Sequence, residues 1–286
     1  MTRITVVGSV NMDLVFGLAE LPSPGETVLA SSLHSEPGGK GGNQAVAAAR
    51  AGADVQLVAA LGADATGSAL RKHLQDNGVG LDGVGSLPVP SGTAAIMVGS
   101  SAENMIVVAP GANAHLTLDS RHVRAVVADC DVLLLQLEIP PATALAAARL
   151  AKDSGATVVL NASPPGADPH TLAALAAAID VVIVNDAEAA GWHWPVPHLV
   201  ITRGADGAVH RTAAGETHVA APEVEAVDTT GAGDVFAGVL AAGWRTDPTH
   251  ALLRAVTAGA LATLVAGAGN CAPYDEAIED ALGKAP

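Results

Sequence analysis

The sequence is short of aromatic residues, of cysteine and of positive charge, and each shortage excludes something. Aromatic side chains make up only 2% of 286 residues, although half the chain is hydrophobic. Alanine and glycine fill the gap, so the core must close on small side chains. An apolar fraction of that size excludes a disordered chain. The only two cysteines, Cys130 and Cys271, exclude a disulfide scaffold. Fourteen Lys and Arg stand against 29 Asp and Glu, for a net charge of −15. No basic stripe offsets that field, which argues against generic nucleic-acid binding. A phosphate ligand would have to be held by backbone N–H groups, a metal and a few placed cations.

The longest uncharged run, between Arg254 and Asp275, reads as a buried helix rather than a membrane span. Met1-Thr2-Arg3 leads directly into the strand-like Ile4-Thr5-Val6-Val7, without the apolar stretch of a signal peptide. These features predict a soluble, cytoplasmic protein with no membrane and no nucleic-acid partner.

Short β-branched runs alternate with alanine-rich helical stretches. Strands are predicted over 55–59, 131–137, 156–160, 180–184 and 198–202, and helices over 67–76, 141–153 and 170–178. The C-terminal third, from about Ala232, is mostly helical. Continuously apolar strands between helices predict an α/β fold with a mainly parallel sheet and helices on both faces. Two segments, 14–33 and 93–108, alternate more, with turns at Leu21-Pro22-Ser23-Pro24-Gly25 and Ser100-Ser101-Ala102-Glu103. They predict a small antiparallel β lid. No repeat or linker divides residues 1–286, so one domain with a lid is expected. Exposed lid edges could pair in a homodimer.

Four short motifs carry side chains suited to chemistry. Gly38-Gly39-Lys40-Gly41-Gly42-Asn43-Gln44 precedes a helix predicted over 45–51. Its glycines let the backbone approach a ligand, and the helix N-terminus offers unpaired N–H groups. It is not a Walker loop, because no Gly-Lys-Ser/Thr follows at the required spacing, and not a dinucleotide fingerprint, because Gln44 stands where the third glycine would be. A tight loop ahead of a helix would look the same, but Lys40 and Asn43 favour a ligand with hydroxyls. Asp228-Thr229-Thr230-Gly231-Ala232-Gly233-Asp234 precedes a helix predicted over 235–244. Its N–H groups suit developing negative charge, although Asp234 also reads as a carboxylate complementing the helix dipole.

Asn185-Asp186-Ala187-Glu188 follows an apolar strand, where α/β sheets bind ligands; it also reads as a helix cap. In Gly8-Ser9-Val10-Asn11-Met12-Asp13, Asn11 and Asp13 share one face of a strand, unless the segment is an ordinary turn. Glu138 also follows a strand, a place where a lone carboxylate is usually solvated. The ten histidines show no zinc spacing, and Cys130 reads as a core residue.

Together these residues resemble the ribokinase-like (PfkB) sugar kinases. The four motifs, with Pro22-Ser23-Pro24-Gly25-Glu26-Thr27, Pro110-Gly111-Ala112-Asn113 and Gln136-Leu137-Glu138, match in order along nearly the whole chain. The resemblance implies an ATP-dependent kinase acting on the 5-hydroxyl of D-ribose. The same chemistry on another sugar or a nucleoside is the alternative, and a catalytically idle sugar-binding regulator a further one. Phe16 is the only aromatic residue in the lid segments, which favours a bare sugar.

By the same resemblance, Asp234 would be the general base, and Gly231, Ala232 and Gly233 the anion hole. Asn11, Asp13, Gly39, Lys40, Asn43 and Glu138 would hold sugar hydroxyls. Asn185 and Glu188 would act near the ATP phosphates and magnesium. Thr202, Arg203, Gly204, Ala205, Asp206 and Gly207 would lie along the nucleotide, with Gly233 at its phosphates. Thr257 stands where adenine often meets a His or Asn. Asp228, Thr230, Thr263, Ala266, Gly267 and Cys271 would form a potassium site, with Cys271 where a serine is usual. The segment 189–198 is shorter than in the family.

Overall fold

The computed structural model describes residues 1–100 and 103–283; Ser101 and Ala102 of the predicted lid turn lie outside the described residues. The chain opens with β1 (Arg3–Val7), β2 (Asn11–Gly17) and β3 (Ser32–Gly38), then α1 (Lys40–Arg50), β4 (Asp54–Gly62), α2 (Ala65–Asp76) and β5 (Gly80–Leu87). Next come β6 (Gly92–Val98), β7 (Asn104–Ala109), α3 (Arg121–Ala128), β8 (Val132–Leu135), α4 (Pro141–Asp153) and β9 (Thr157–Asn161). α5 (Pro169–Ala176), β10 (Val181–Asn185) and a single turn, α6 (Asp186–Ala189), follow. Three more strands, β11 (His198–Thr202), β12 (Ala208–Thr212) and β13 (Gly215–Val219), precede α7 (Ala232–Gly243), α8 (Pro248–Ala262) and α9 (Asp275–Leu282).

Nine strands form one sheet in the order β13-β12-β11-β10-β9-β8-β1-β4-β5. All neighbours from β11 to β5 are parallel, and β12 and β13 add an antiparallel edge. The apolar runs explain this, because the inner strands β1, β8, β9 and β10 are buried on both faces. Leu134 packs in one cluster with Val239 and Leu240 of α7, while Leu133 and Leu135 pack in the other with Ala144 and Ala148 of α4. After β1 the order grows through β4 to β5; from β8 it grows the other way. The β1–β8 pair is therefore the switch point, where open α/β sheets form a crevice beyond the strand ends.

A second sheet, β3-β2-β6-β7, forms the lid. Its outer pairings are antiparallel and its central β2–β6 pairing is parallel. The predicted segment 14–33 is offset from the strands: β2 already begins at Asn11, and the return strand occupies Ser32–Gly38. Val28 and Leu29 looked strand-like but are exposed in the connecting chain. Only three residues separate β1 from β2, so the lid springs directly from the end of the central strand.

Two helices start earlier than predicted. α1 begins at Lys40 rather than Ala45, and α7 at Ala232 rather than Val235. The cause is the same in both. Gly39 (φ 87°) and Gly231 (φ 80°) take the left-handed conformation just before the first helical residue. The glycine-rich motifs are thus first turns of helices rather than loops. The run between Arg254 and Asp275 holds the end of α8 and irregular chain before α9. No helix among the described residues is long and apolar enough to cross a membrane.

Candidate active site

The chain leaving β1 and the chain leaving β8 lie side by side. Ser9 Oγ donates to Glu138 Oε2 at 2.5 Å, and the Lys40 backbone N–H donates to the same oxygen at 3.3 Å. Glu138 is therefore a bound, half-buried carboxylate rather than the solvated one its position suggested. Asn113 holds Asn11 in place. Its Nδ2 donates to Asn11 Oδ1 at 2.8 Å, and its Oδ1 accepts from the Val10 N–H at 3.0 Å. Both amides need Gly92, since a Cβ there would lie 2.2 Å from each. A cavity of about 370 Å³ opens here, with Ser9, Asn11, Asn113 and Glu138 on one wall and Ile139 and Pro140 on another.

Asp13 shares the Asn11 face of β2 and is buried, with Oδ1 lacking a hydrogen-bond partner. Gly38 opposite gives it room, because a Cβ there would lie 2.1 Å from Asp13 Oδ2. Burial pushes the Asp13 carboxyl up to about 7, and the negative charges of Glu36, Glu138 and Asp234 add to the shift.

The first turns of α1 and α7 meet below. Asp234 is 6% exposed. Its Oδ2 accepts from Asn43 Nδ2 at 3.1 Å, and its Oδ1 accepts from Gln44 Nε2 at 2.9 Å. Lys40 Nζ stands 3.9 Å from Oδ1. The charge of Asp234 raises the Lys40 ammonium above its ordinary value; burial opposes this, and Glu138 and Glu188 reinforce it. First-turn N–H groups such as those of Gly233 and Asp234 lack intrahelical acceptors. Gly233 and the Lys40 side chain line a second cavity of about 100 Å³, with Asn161, Asn185, Glu188 and Thr202. Lys40 thus lines the smaller cavity, while its N–H bonds to Glu138, which lines the larger one.

At the outer end of the smaller cavity, Asn185 and Glu188 form a reciprocal cap. The Glu188 N–H donates to Asn185 Oδ1 at 2.8 Å, and the Asn185 N–H to Glu188 Oε2 at 2.9 Å. Capping and a ligand-facing position therefore coexist. Arg203 pairs with Asp186 at 3.2 Å. Gly204, Ala205 and Asp206 form an exposed turn that Gly207 closes. Thr257 is buried on α8 and, like Arg203, Gly204, Ala205, Asp206 and Gly207, lines neither cavity.

The segments 228–230 and 263–271 also come together. Asp228 accepts the N–H of Thr230 at 2.8 Å on one oxygen and that of Gly267 at 2.9 Å on the other. Burial works against its charge, but those N–H groups and the Thr230 side chain hold its carboxyl below the ordinary value. Thr263 O accepts from the N–H groups of Val227 and Asp228. Cys271 Sγ lies 3.3 Å from Ala268 O and 3.8 Å from Thr230 O. Burial, then the charge of Asp234, pushes its thiol up to about 11. Ala266 is exposed.

Sequence reasoning passed over Ser9, Gln44, Asn113 and Gln136 as individual site residues. The signal for Gln136 was a polar side chain inside the apolar run 131–137. For Gln44 it was the place directly after Asn43.

Residues 1–275 match the family described as pfkB family carbohydrate kinase. The chain is 34% identical to a ribokinase of Bacillus subtilis (strain 168), covering 99% of this chain and all of the relative. It is also 34% identical to a bifunctional ribokinase/ribose-5-phosphate isomerase A of Fructilactobacillus sanfranciscensis, of which it spans 56%. Among solved structures, that of an Arabidopsis thaliana ribokinase complexed with ribose and ATP superposes with a TM-score of 0.90, at 28% identity over 99% of both chains.

The buried Asp13 gives a pH test. Its folded value of about 7 lies above the ordinary 3.8, so the folded state holds a proton that the unfolded chain releases. Asp13 therefore withdraws stability as pH rises from about 4 to about 7, and no further above that. Asp13→Asn should gain stability relative to the parent across that window, by a few kcal/mol. Denaturant unfolding of both proteins from pH 4 to 8 checks this; parallel profiles would refute it.

Proposed function

The chain belongs to the pfkB carbohydrate kinases, which makes it an ATP-dependent sugar kinase, and we propose that it transfers the γ-phosphoryl group of ATP to the 5-hydroxyl of D-ribose. One observation carries the reading. A buried carboxylate, Asp234, sits in the first turn of α7, held by Asn43 and Gln44 with Lys40 Nζ 3.9 Å away, and Lys40 and Gly233 line the cavity that also holds Asn185 and Glu188. The ribokinases among its relatives, one of them complexed with ribose and ATP, support the choice of sugar.

In this reading Asp234 takes the proton of the 5-hydroxyl as its oxygen bonds to the γ-phosphorus. The bond from that phosphorus to the β–γ bridging oxygen breaks, and ADP leaves. Lys40 and the first-turn N–H groups at Gly231, Ala232 and Gly233 face the charge on the transferring group. Asn11, Asp13, Asn43 and Glu138 hold the sugar hydroxyls beside Gly39 and Lys40. Asn185, Glu188 and Thr202 lie on the phosphate side, with 203–207 beside the nucleotide. Residues 1–286 act as one domain, lid included. A cytoplasmic location completes the reading, supported by two buried thiols and no disulfide.

Among the described residues no three His, Cys, Asp or Glu side chains converge on a metal position. That fits magnesium arriving on ATP, held mainly by phosphate oxygens with one or two protein groups such as Glu188. A potassium ion fits the 228–271 loops differently. Both Asp228 oxygens already accept N–H bonds, but the carbonyls of Thr230 and Ala268 share the one weak donor of Cys271. Such carbonyls are hard oxygen donors. An ion held there would steady the loop that presents Gly231.

A phosphorylation screen over ribose, 2-deoxyribose, other pentoses, hexoses and adenosine tests the sugar. Ribose should give the highest kcat/KM, because buried polar groups left unpaired penalise analogues lacking hydroxyls. Asp234→Asn should lower ribose turnover by at least about a hundredfold. A preference for adenosine, or near-full turnover of the variant, would refute the assignment or the mechanism respectively. Potassium should raise the rate well above sodium at equal ionic strength, and equal rates would argue that no ion binds at Cys271. The outer lid strand β7 exposes Met105, Ile106, Val107 and Val108 along an edge with no strand beyond it, which supports pairing of two copies. Sedimentation should then report a dimer, and Val107→Lys should shift it to monomer.

A further inference from the structure

Two glutamines that belong to neither cavity's lining form a chain of buried amides ending on Asp234. Gln136 follows β8, Gln44 lies in the first turns of α1, and both are fully buried. Gln136 Nε2 donates to Gln44 Oε1 at 2.7 Å, and Gln44 Nε2 donates to Asp234 Oδ1 at 2.9 Å. The polarity of the chain is fixed from one end. A carboxylate accepts, so the Gln44 NH2 must face it; the Gln44 carbonyl then faces Gln136, whose NH2 must face that. Reversing either amide would put two oxygens together. The arrangement has two close-packed supports. A Cβ on Gly8 would lie 1.9 Å from Gln136 Oε1, and a Cβ on Gly238 of α7 would lie 2.5 Å from Gln44 O. The Gln136 Oε1 atom has no partner of its own, so the buried amide is placed for what its NH2 does.

We infer that Gln44 and Gln136 are positioning residues for phosphoryl transfer: Gln136 locks the Gln44 amide, and Gln44 holds the Asp234 carboxylate aimed at the acceptor hydroxyl. This rests on the reading of Asp234 as general base. The aim matters because Asp234 has two oxygens. With Oδ1 held by Gln44 and Oδ2 by Asn43, the plane of the carboxylate is set before a sugar arrives. Other charged or titratable groups face Asp234 from the packed elements. These are Lys40 from α1, Asp13 from β2 and Cys271 from the chain before α9, with Glu138 acting through Lys40. The buried face of α8 offers none.

The experiment uses Gln44→Met, Gln136→Met, the double variant and Asp234→Asn, each assayed for ribose phosphorylation over ribose and ATP concentration. Methionine keeps the length and removes the amide. Gln44→Met should lower kcat by about tenfold or more, the share of a hydrogen bond to a charged group. The KM values for ribose and ATP should change little. Gln136→Met should do the same more weakly, and the double variant should be no worse than Gln44→Met, since Gln136 acts only through Gln44. A Gln44→Met enzyme with parental kcat would overturn the inference, as would additive losses in the double variant. If Gln44→Met fails to fold, Gln136→Met decides, with unchanged kcat as the overturning result. Collapse of Asp234→Asn alongside a parental Gln44→Met would sink the amide chain alone; a fully active Asp234→Asn would sink the general-base reading itself.

Discussion

The burial of a single carboxylate, Asp234, sets the terms for the rest of the site. An ionised group taken out of water needs hydrogen bonds and opposite charge around it. Here the donors come from another helix, so α1 and α7 must meet at their N-terminal turns. They can do so only because the residues between them are small. Gly238 lets α7 lie against the backbone of Gln44, and Ala45, Ala47 and Ala48 of α1 are fully buried. The scarcity of aromatic residues follows from the same demand. Bulky rings would hold the helices apart and leave Asn43 and Gln44 out of reach of Asp234.

Glycine serves this structure in two distinct ways. Gly39 and Gly231 supply left-handed backbone at two helix starts. Gly8, Gly38 and Gly92 supply room, each facing the polar end of a buried side chain: Gln136, Asp13, and the Asn11–Asn113 pair. Those three positions lie at the end of β1, in the lid and at the start of β6. They belong to different elements but surround one crevice. A sequence rich in glycine thus encodes a polar network as much as flexible loops.

The fold was legible where periodicity and apolar runs speak. Helix 141–153 and strand 198–202 fall on α4 and β11 as predicted. The parallel sheet followed from strands buried on both faces. Element ends were less legible, because they depend on tertiary contacts. The apolar run 131–137 stays in the sheet only through Leu135, after which Gln136 turns toward Gln44. The register of the lid was hidden too, since β2 pairs with β3 on one side and β6 on the other. Asp234, Lys40 and Asn43 could be picked out from their motifs. That Glu138 accepts from Ser9, and that Gln44 accepts from Gln136, could not, because those partners are brought together only by the parallel pairing of β1 with β8 and the packing of α1 beside them.

Asn11 and Asp13, which the proposed reading sets against the sugar, lie on lid strand β2 rather than on the main sheet. In that reading a sugar bound to them is bound to the lid, and a lid held by sugar over Asp234 would favour transfer to the sugar over hydrolysis of ATP. The root of the lid bears on the far side of the site as well. A Cβ on Gly267 would lie 2.1 Å from Glu36 Oε2, and one on Gly269 would lie 2.1 Å from Pro37 O. The strand that returns from the lid therefore rests on the segment that holds Asp228. The lid and the loop leading into Gly231 are thus linked through direct packing of β3 on residues 267–269, of which Gly267 bonds to Asp228.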